Sequence, residues 1–206
     1  DLMELLVNAA RQGKEVNVVV ELMARFDEAT NLSWASRLED AGIKIVYGVF
    51  GYKTHAKMLL VIREETNQNG ELYLRRYAHV GTGNYHQGNA RAYTDFSLLT
   101  SHKDITASIS EIFLNLSSLA KIPSQSTVWQ SPFNFVDRLI EEIDFEINEV
   151  KQGREGRIIA RMNALMEPII ITALYNASQA GVSIDLIVRG ACALKPGITG
   201  LSENIR

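Results

Sequence analysis

The sequence has few of the residues that hold small secreted or metal-bound proteins together. It contains one cysteine, Cys192, in 206 residues, so no internal disulfide can form. Cysteine and histidine do not cluster as they do at structural zinc sites. The first residues lack the basic segment and the apolar stretch of a signal peptide. These absences favour a reducing compartment, and we expect a cytoplasmic protein, with a peripheral contact to the inner membrane left open.

Long apolar runs and an excess of positive charge are also missing. No uninterrupted apolar run approaches the roughly 20 residues that a transmembrane helix needs. The formal net charge of −3 argues against a broad electrostatic attraction to nucleic acid. Neither the P-loop motif of many kinases nor the serine elbow of many hydrolases occurs. We therefore expect neither a transmembrane segment nor a nucleic-acid partner.

What the sequence does contain is an alternation of helical and strand-like patterns. Apolar residues make up 46% and charged residues 22%, the balance of a globular protein with a real core. The spacing of apolar residues predicts a helix over 2–12, ended by Gly13, and the valine-rich run 16–22 predicts a strand covered on both faces in a largely parallel sheet. The other predicted helices cover 27–41, 105–119, 136–150 and 167–180, and the other strands cover 43–47, 55–62, 72–80, 93–99, 158–160 and 184–188. The sequence therefore predicts an α/β fold.

A loop rich in serine, proline and glutamine divides this pattern. It predicts a first domain over 1–120, a linker over 121–132 and a second domain over 133–206. A possible repeat supports two related domains, because eight positions around Gly13 match eight around Gly181 at a spacing of 168 residues. We expect a second copy that is unfinished at Arg206, with a counterpart of His55 roughly 10 to 30 residues further on.

One of the four histidines lies in a pattern with chemical content. His55 stands between Lys53 and Lys57, and alternate residues of a strand project from the same face. Two ammonium groups would attract phosphate oxygens and favour the neutral imidazole, which leaves a ring nitrogen able to attack phosphorus. The competing interpretation is a solvated, basic strand end that happens to carry a histidine.

A glycine-rich turn follows a later predicted strand. The turn consists of Gly81, Thr82, Gly83 and Asn84. Its backbone N–H groups can point at phosphate oxygens, and Thr82 and Asn84 add side-chain donors. By itself such a run is more often a plain loop. Asp95 is a further candidate, since a carboxylate can orient a catalytic histidine such as His55.

Taken together, the histidine pattern and the glycine turn resemble half of a phospholipase D-like site. Longer stretches resemble the type 1 polyphosphate kinase family over nearly the whole chain. The matching runs are VELMARFDE (20–28), YKTHAK (52–57), RYAHVGTGNY (76–85), ARAYTD (90–95), NAL (163–165), ASQAG (177–181), IVRG (187–190) and GLSENIR (200–206). The sequence departs from phospholipase D itself at Ile62, five positions after Lys57, where that family usually carries an acid.

The resemblance implies a fold, an activity and a set of site residues. It implies a phospholipase D-like mixed sheet flanked by helices, followed by a partial second copy. The implied activity is reversible transfer of the terminal phosphate of ATP to inorganic polyphosphate, through a phosphohistidine and with Mg²⁺, by a homo-oligomer when full length. His55 matches the nucleophile, and Tyr93 and Arg189 match residues that contact ATP. Arg25 matches the magnesium-phosphate site, where a guanidinium, which has no lone pair to donate, would hold phosphate oxygens beside the metal.

Two other functions stay open at this point. A phospholipase D-like phosphodiesterase or nuclease would share histidine attack on phosphorus, although Ile62 argues against it. A noncatalytic polyanion-binding module would use the same basic pocket. Individual residues also have plain interpretations: Arg25 and Asp27 as a surface ion pair or a helix cap, and Tyr93 as a strand aromatic that packs on the core.

Overall fold

The computed structural model describes residues 2–21, 28–48, 51–118 and 126–206. The chain divides into two compact units, Asp1–Val128 and Trp129–Arg206. Arg25, and most of the predicted linker's first half, lie outside the described residues. The predicted α/β class is confirmed. Among the described residues, no helix combines the length and apolar character that crossing a membrane requires.

The first unit begins with two helix-strand pairs. Its elements are α1 (Leu2–Arg11), β1 (Asn17–Val20), α2 (Glu28–Asp40) and β2 (Lys44–Tyr47). Strands β1 and β2 pair in parallel, as the valine-rich pattern predicts. Ala35 and Leu38 on α2 are buried together with Ile43, so the apolar face of α2 contributes to the core. Gly13 lies beyond the end of α1 with φ +80°, a conformation that glycine adopts without strain, which confirms it as the predicted stop.

The rest of the first unit is built around an antiparallel sheet. Its elements are β3 (Lys57–Thr66), β4 (Leu72–Gly81), α3 (Gln87–Ala92), β5 (Ser97–Thr100) and α4 (Lys103–Ser118), and the strand order is β3-β4-β5. The predicted turn between β3 and β4 is confirmed. There the side-chain oxygen of Asn67 accepts hydrogen bonds from the backbone N–H groups of Asn69 and Glu71, each at 2.9 Å. Ile109 of α4 and Ala78 of β4 are buried.

Two predicted strand boundaries are wrong, and both concern the candidate site. Strand β3 begins at Lys57, so His55 lies just before the strand and does not share one strand face with Lys53 and Lys57. Strand β5 begins at Ser97, whereas Tyr93 is the C-cap of α3. The backbone N–H of Tyr93 donates to the carbonyl oxygen of Asn89 at 3.0 Å, which closes the last turn of that short helix.

The second unit contains a parallel strand pair covered by helices. Its elements are α5 (Phe135–Lys151), β6 (Arg157–Met162), α6 (Pro168–Gln179) and β7 (Ser183–Val188), and β6 pairs with β7 in parallel. Ile143, Leu174, Val182 and Ile184 lie at the centre of its core. Pro168 occupies the first turn of α6, where its missing N–H costs nothing.

The repeat suggested by the sequence is visible in the backbone. Helix α6 is followed by Gly181 with φ +99° and then by β7, as α1 is followed by Gly13 and then by β1. The two copies differ in their pairing: β1 pairs with the strand that follows it, and β7 pairs with the strand that precedes it. The shared pattern therefore produces the same helix-glycine-strand unit twice.

Candidate active site

Strand pairing brings the histidine segment and the glycine turn to one edge of the β3-β4-β5 sheet. Lys57 is the first residue of β3 and is opposite Gly81, the last residue of β4, which is opposite Ser97 at the start of β5. In an antiparallel pair, the chain before one strand and the chain after its partner leave the sheet in the same direction. The segment that carries His55 and the turn that follows Gly81 therefore extend from the same edge.

His55 has the electrostatic character that the sequence predicts, with an additional cause. The pKa of His55 is lowered from its ordinary value of 6.5, first by partial burial, then by the charge of Lys57 and then by that of Lys53. Burial is the largest cause even though His55 is exposed as a whole residue, and all three causes act in the same direction. The neutral imidazole is favoured, which is the form that can act as a nucleophile.

The backbone on both sides of His55 is held by side chains. The ammonium group of Lys57 donates to the carbonyl oxygen of His55 at 2.6 Å. The backbone N–H of Thr54 donates to the carboxylate of Glu21 at 2.7 Å. Glu21 directly follows β1, and the carboxyl ends of parallel strands often carry site residues. This position is the feature of the sequence from which a role for Glu21 could have been predicted.

Thr82 holds the glycine turn against the chain that leads into β5. Its hydroxyl donates to the carboxylate of Asp95 and accepts from the backbone N–H of Phe96, both at 3.0 Å. Its backbone N–H donates to the carbonyl oxygen of Phe96, also at 3.0 Å. The hydroxyl proton that we expected to reach a phosphate is therefore directed at Asp95. Asp95 in turn bonds to Thr82, not to His55 as suggested from the sequence.

The glycine at position 83 leaves room for the side chain of Asp95. A Cβ atom added there would lie 2.2 Å from a carboxylate oxygen of Asp95, far inside van der Waals contact. The absence of a side chain at Gly83 thus allows Asp95 to reach Thr82. Gly81, by contrast, is the strand residue that pairs with Lys57, and a Cβ there would lie 3.1 Å from the ring of His79.

Lys57 connects the two halves of the candidate site electrostatically. Partial burial lowers the pKa of Lys57, Asp95 raises it and Lys53 lowers it, in decreasing order of size, with a net lowering. Asp95 therefore acts on Lys57 as well as on Thr82. A single carboxylate stabilises the glycine turn and balances the ammonium group next to His55.

A further contact near the turn was not anticipated. Nδ1 of His79 lies 2.6 Å from the hydroxyl of Tyr85, and their ring centroids are 5.5 Å apart. His79 belongs to β4 and Tyr85 follows the turn, so this pair joins the chain on both sides of Gly81 to Asn84. The pKa of Tyr85 is raised by burial.

The other residues suggested by resemblance are positioned differently. Tyr93 is half exposed at the end of α3 in the first unit. Arg189 belongs to the second unit and directly follows β7, at the carboxyl end of the parallel pair, as predicted. Its backbone N–H donates to the carbonyl oxygen of Met162 at 3.1 Å. Asn84 is exposed within the turn, and its carbonyl oxygen accepts a hydrogen bond from the backbone N–H of His86 at 2.7 Å.

A metal ion held by protein alone needs a group of ligating side chains, and the structure describes residues 2–21, 28–48, 51–118 and 126–206. No group of three or more His, Cys, Asp or Glu side chains in that part of the chain could hold a metal ion. Mg²⁺ in proteins commonly takes phosphate oxygens and water as ligands in place of such a group.

Two family domains match the sequence and together cover almost all of it. Residues 1–122 match "Polyphosphate kinase C-terminal domain 1", and residues 128–206 match "Polyphosphate kinase C-terminal domain 2".

Known proteins with these names resemble the chain closely. Polyphosphate kinase of Burkholderia multivorans is 55% identical over 204 residues, which is 99% of this chain and 30% of that protein. The enzyme of Neisseria meningitidis serogroup C is 55% identical over 206 residues, covering 100% of this chain and 29% of that protein. The crystal structure of polyphosphate kinase from Porphyromonas gingivalis superposes with a TM-score of 0.85 at 39% identity, covering 100% of this chain and 33% of that one. The chain thus spans about a third of the length of these relatives.

Proposed function

The chain belongs to the polyphosphate kinase family, and from this premise we propose that it carries the phosphate-accepting site of an ATP-polyphosphate phosphotransferase. One observation carries the proposal: His55, with its pKa lowered by burial and two lysines, leaves the sheet at the same edge as the Gly81 to Asn84 turn. A neutral nucleophile, cations and backbone donors are the groups that phosphoryl transfer needs.

The proposed reaction has two steps at one phosphorus. A ring nitrogen of neutral His55 attacks the terminal phosphorus of ATP; the N–P bond forms while the bond to the bridging oxygen breaks, and ADP leaves with the electron pair. The terminal oxygen of a polyphosphate chain then attacks the phosphohistidine, the N–P bond breaks, and neutral imidazole is restored. Both steps are reversible. Lys53, Lys57 and the backbone N–H groups of the turn other than that of Thr82 hold the phosphate oxygens as charge moves between them.

Other residues complete the proposal by resemblance to the family. Tyr93 and Arg189 contact the nucleotide, and Arg25 holds phosphate oxygens beside Mg²⁺. Magnesium enters as part of the Mg-ATP substrate and supplies charge neutralisation on the phosphates. The full-length protein acts as a homo-oligomer in the cytoplasm, with a peripheral contact to the inner membrane left open. Its partners are ATP, ADP and inorganic polyphosphate, with no nucleic acid.

We also propose the domain roles that the sequence suggests. Residues 1–120 form a phospholipase D-like catalytic domain, residues 121–132 a linker, and residues 133–206 the start of a second domain of the same kind. The repeated helix-glycine-strand unit around Gly13 and Gly181 supports this assignment. Ile62, an apolar residue in β3 that is 49% exposed, cannot move a proton and so argues against phosphodiester hydrolysis.

Labelling with γ-³²P ATP tests the proposed function in the full-length protein. We expect an acid-labile, alkali-stable phosphoenzyme in the parent and none in His55→Ala. His102→Ala is the matched control, because His102 is an exposed histidine at the start of α4 and should leave labelling intact. Undiminished labelling of His55→Ala would show that another group is the nucleophile. A parent protein that binds polyphosphate but takes no label would favour the noncatalytic binding module.

A further inference from the structure

Glu21 links the parallel strand pair of the first unit to the segment that carries His55. It directly follows β1, and β1 and β2 end side by side at Val20 and Tyr47. One of its carboxylate oxygens accepts the backbone N–H of Thr54 at 2.7 Å, across 33 residues of sequence. A Cβ atom added to Gly48, the residue after β2, would lie 3.9 Å from that same oxygen. The carboxylate thus reaches past the end of β2 to the residue before His55.

The segment around His55 has little regular structure to hold it. Residues 53–56 belong to no strand, and β3 begins only at Lys57. His55 is exposed as a whole residue, with its imidazole only partly buried, whereas Thr54 is partly buried. A hydrogen bond lies on each side of this residue: the backbone N–H of Thr54 donates to Glu21, and the ammonium group of Lys57 donates to the carbonyl oxygen of His55. A nucleophile on such a segment depends on these bonds for its position.

We propose that Glu21 is a positioning residue for His55: its carboxylate fixes the backbone of Thr54 and so sets where the imidazole stands relative to the turn from Gly81 to Asn84. This inference rests on the proposed phosphohistidine function. Attack on phosphorus needs the nucleophile within a few tenths of an ångström of its productive position. The hydrogen-bond acceptor on Glu21 therefore matters because it fixes the backbone next to His55.

The role of Glu21 is geometric, not electrostatic. The pKa of His55 is lowered by burial, Lys57 and Lys53, and the charge of Glu21 is not among those causes. Glutamine at position 21 keeps the chain length and a carbonyl oxygen that accepts from Thr54. Aspartate keeps the charge but shortens the side chain by one methylene, which withdraws the oxygen from Thr54. Reach and charge can therefore be separated by two substitutions.

The test measures the single-turnover rate of His55 phosphorylation at saturating Mg-ATP, and its pH profile, in the full-length protein. We expect Glu21→Ala and Glu21→Asp to slow phosphorylation by on the order of 10²-fold, since a displacement of about 1 Å can cost that much. Glu21→Gln keeps an oxygen that accepts from Thr54 but lacks the charge, and its rate should fall by less than about tenfold. The pH at which the phosphorylation rate falls on the acidic side should be the same in all three variants as in the parent.

Glu146→Ala is the matched control, because Glu146 accepts the backbone N–H of Arg157 at 2.8 Å in the second unit. It removes a bond of the same kind and should leave the phosphorylation rate at the parent level. If Glu21→Ala fails to fold, as judged by circular dichroism, the contrast between Glu21→Asp and Glu21→Gln carries the test alone.

Three results would overturn the inference while the parent still labels on His55. These are a parent-like rate in Glu21→Asp, a rate in Glu21→Gln as low as in Glu21→Asp, or a fall of the rate on the acidic side at a different pH from that of the parent. A parent protein without label on His55 would instead overturn the proposed function, and this inference with it. The two failures are thus told apart by the parent alone.

Discussion

Replacing Thr82 by valine is the sharpest perturbation of the glycine turn that the structure offers. Valine keeps the branched shape and the backbone bond to Phe96, but it loses the hydroxyl that donates to Asp95 and accepts from the Phe96 N–H. Thr82→Ser is the matched control, because serine keeps the hydroxyl and loses only a methyl group. The two variants therefore isolate the hydroxyl from the size of the side chain.

The expected loss follows from these two hydrogen bonds. A bond to a charged acceptor contributes about 1.5 to 3 kcal/mol and a neutral one about 0.5 to 1.5 kcal/mol. Thr82 is exposed, so water replaces part of both bonds and about 1 to 2 kcal/mol is the expected net loss. If the turn must be ordered in the transition state, this loss corresponds to a roughly 5- to 30-fold slower phosphorylation of His55. Thr82→Ser should stay within about threefold of the parent.

Single-turnover labelling of the full-length protein with Mg-ATP measures this loss. A double-mutant cycle with Asp95→Ala separates the turn-holding role from direct donation to phosphate. If the Thr82 hydroxyl acts through Asp95, the two substitutions should be strongly non-additive, since either one breaks the same bond. A parent-like rate in Thr82→Val, or fully additive losses in the cycle, would show that the bond between Thr82 and Asp95 does not hold the site.

Two further predictions concern the neighbours of this bond. Lys57→Gln removes a cation that lowers the pKa of His55, so that pKa should rise toward 6.5, and the fall of the phosphorylation rate at acidic pH should begin at a higher pH. NMR titration of the His55 ring measures the change in pKa, and Lys53→Gln should raise it less. A lowered or unchanged pKa in Lys57→Gln would contradict the assignment. Gly83→Ala would put a methyl group 2.2 Å from an oxygen of Asp95, so we expect the free energy of unfolding in urea to fall by about 1 to 3 kcal/mol. A smaller fall in the Asp95→Ala background would confirm the clash with Asp95, and an equal fall would show that the clash lies elsewhere.

Local patterns in the sequence predicted the elements well and their ends less well. The stop at Gly13 and the turn at Asn67 to Gly70 follow from local preferences of glycine and asparagine, so both were predictable. Tyr93 was expected in a strand because aromatic residues favour strands. Its N–H instead closes the last turn of α3, since the chain between the glycine turn and β5 folds into a short helix first.

The candidate site shows the same division between local and distant information. His55, its flanking lysines and the glycine turn were recognisable because each lies in a short run with a clear chemical role. Asp95 was singled out, but its partner was wrong, since the choice between Thr82 and His55 depends on how β4 and β5 align. The position of Glu21 after β1 was a signal in the sequence, but its contact with Thr54 was not predictable, because the two residues are 33 positions apart.

By itself, the sequence determined the kinds of elements, the repeated helix-glycine-strand unit and the residues that we propose for the phosphate site, because backbone preference and side-chain chemistry are properties of single residues and their near neighbours. The tertiary structure alone decided that Lys57, Gly81 and Ser97 meet at one sheet edge. It also decided that Glu21 holds Thr54 and that Asp95 holds Thr82. Strand register sets which distant residues lie a hydrogen bond apart, and register follows from the packing of the whole sheet, not from any local run.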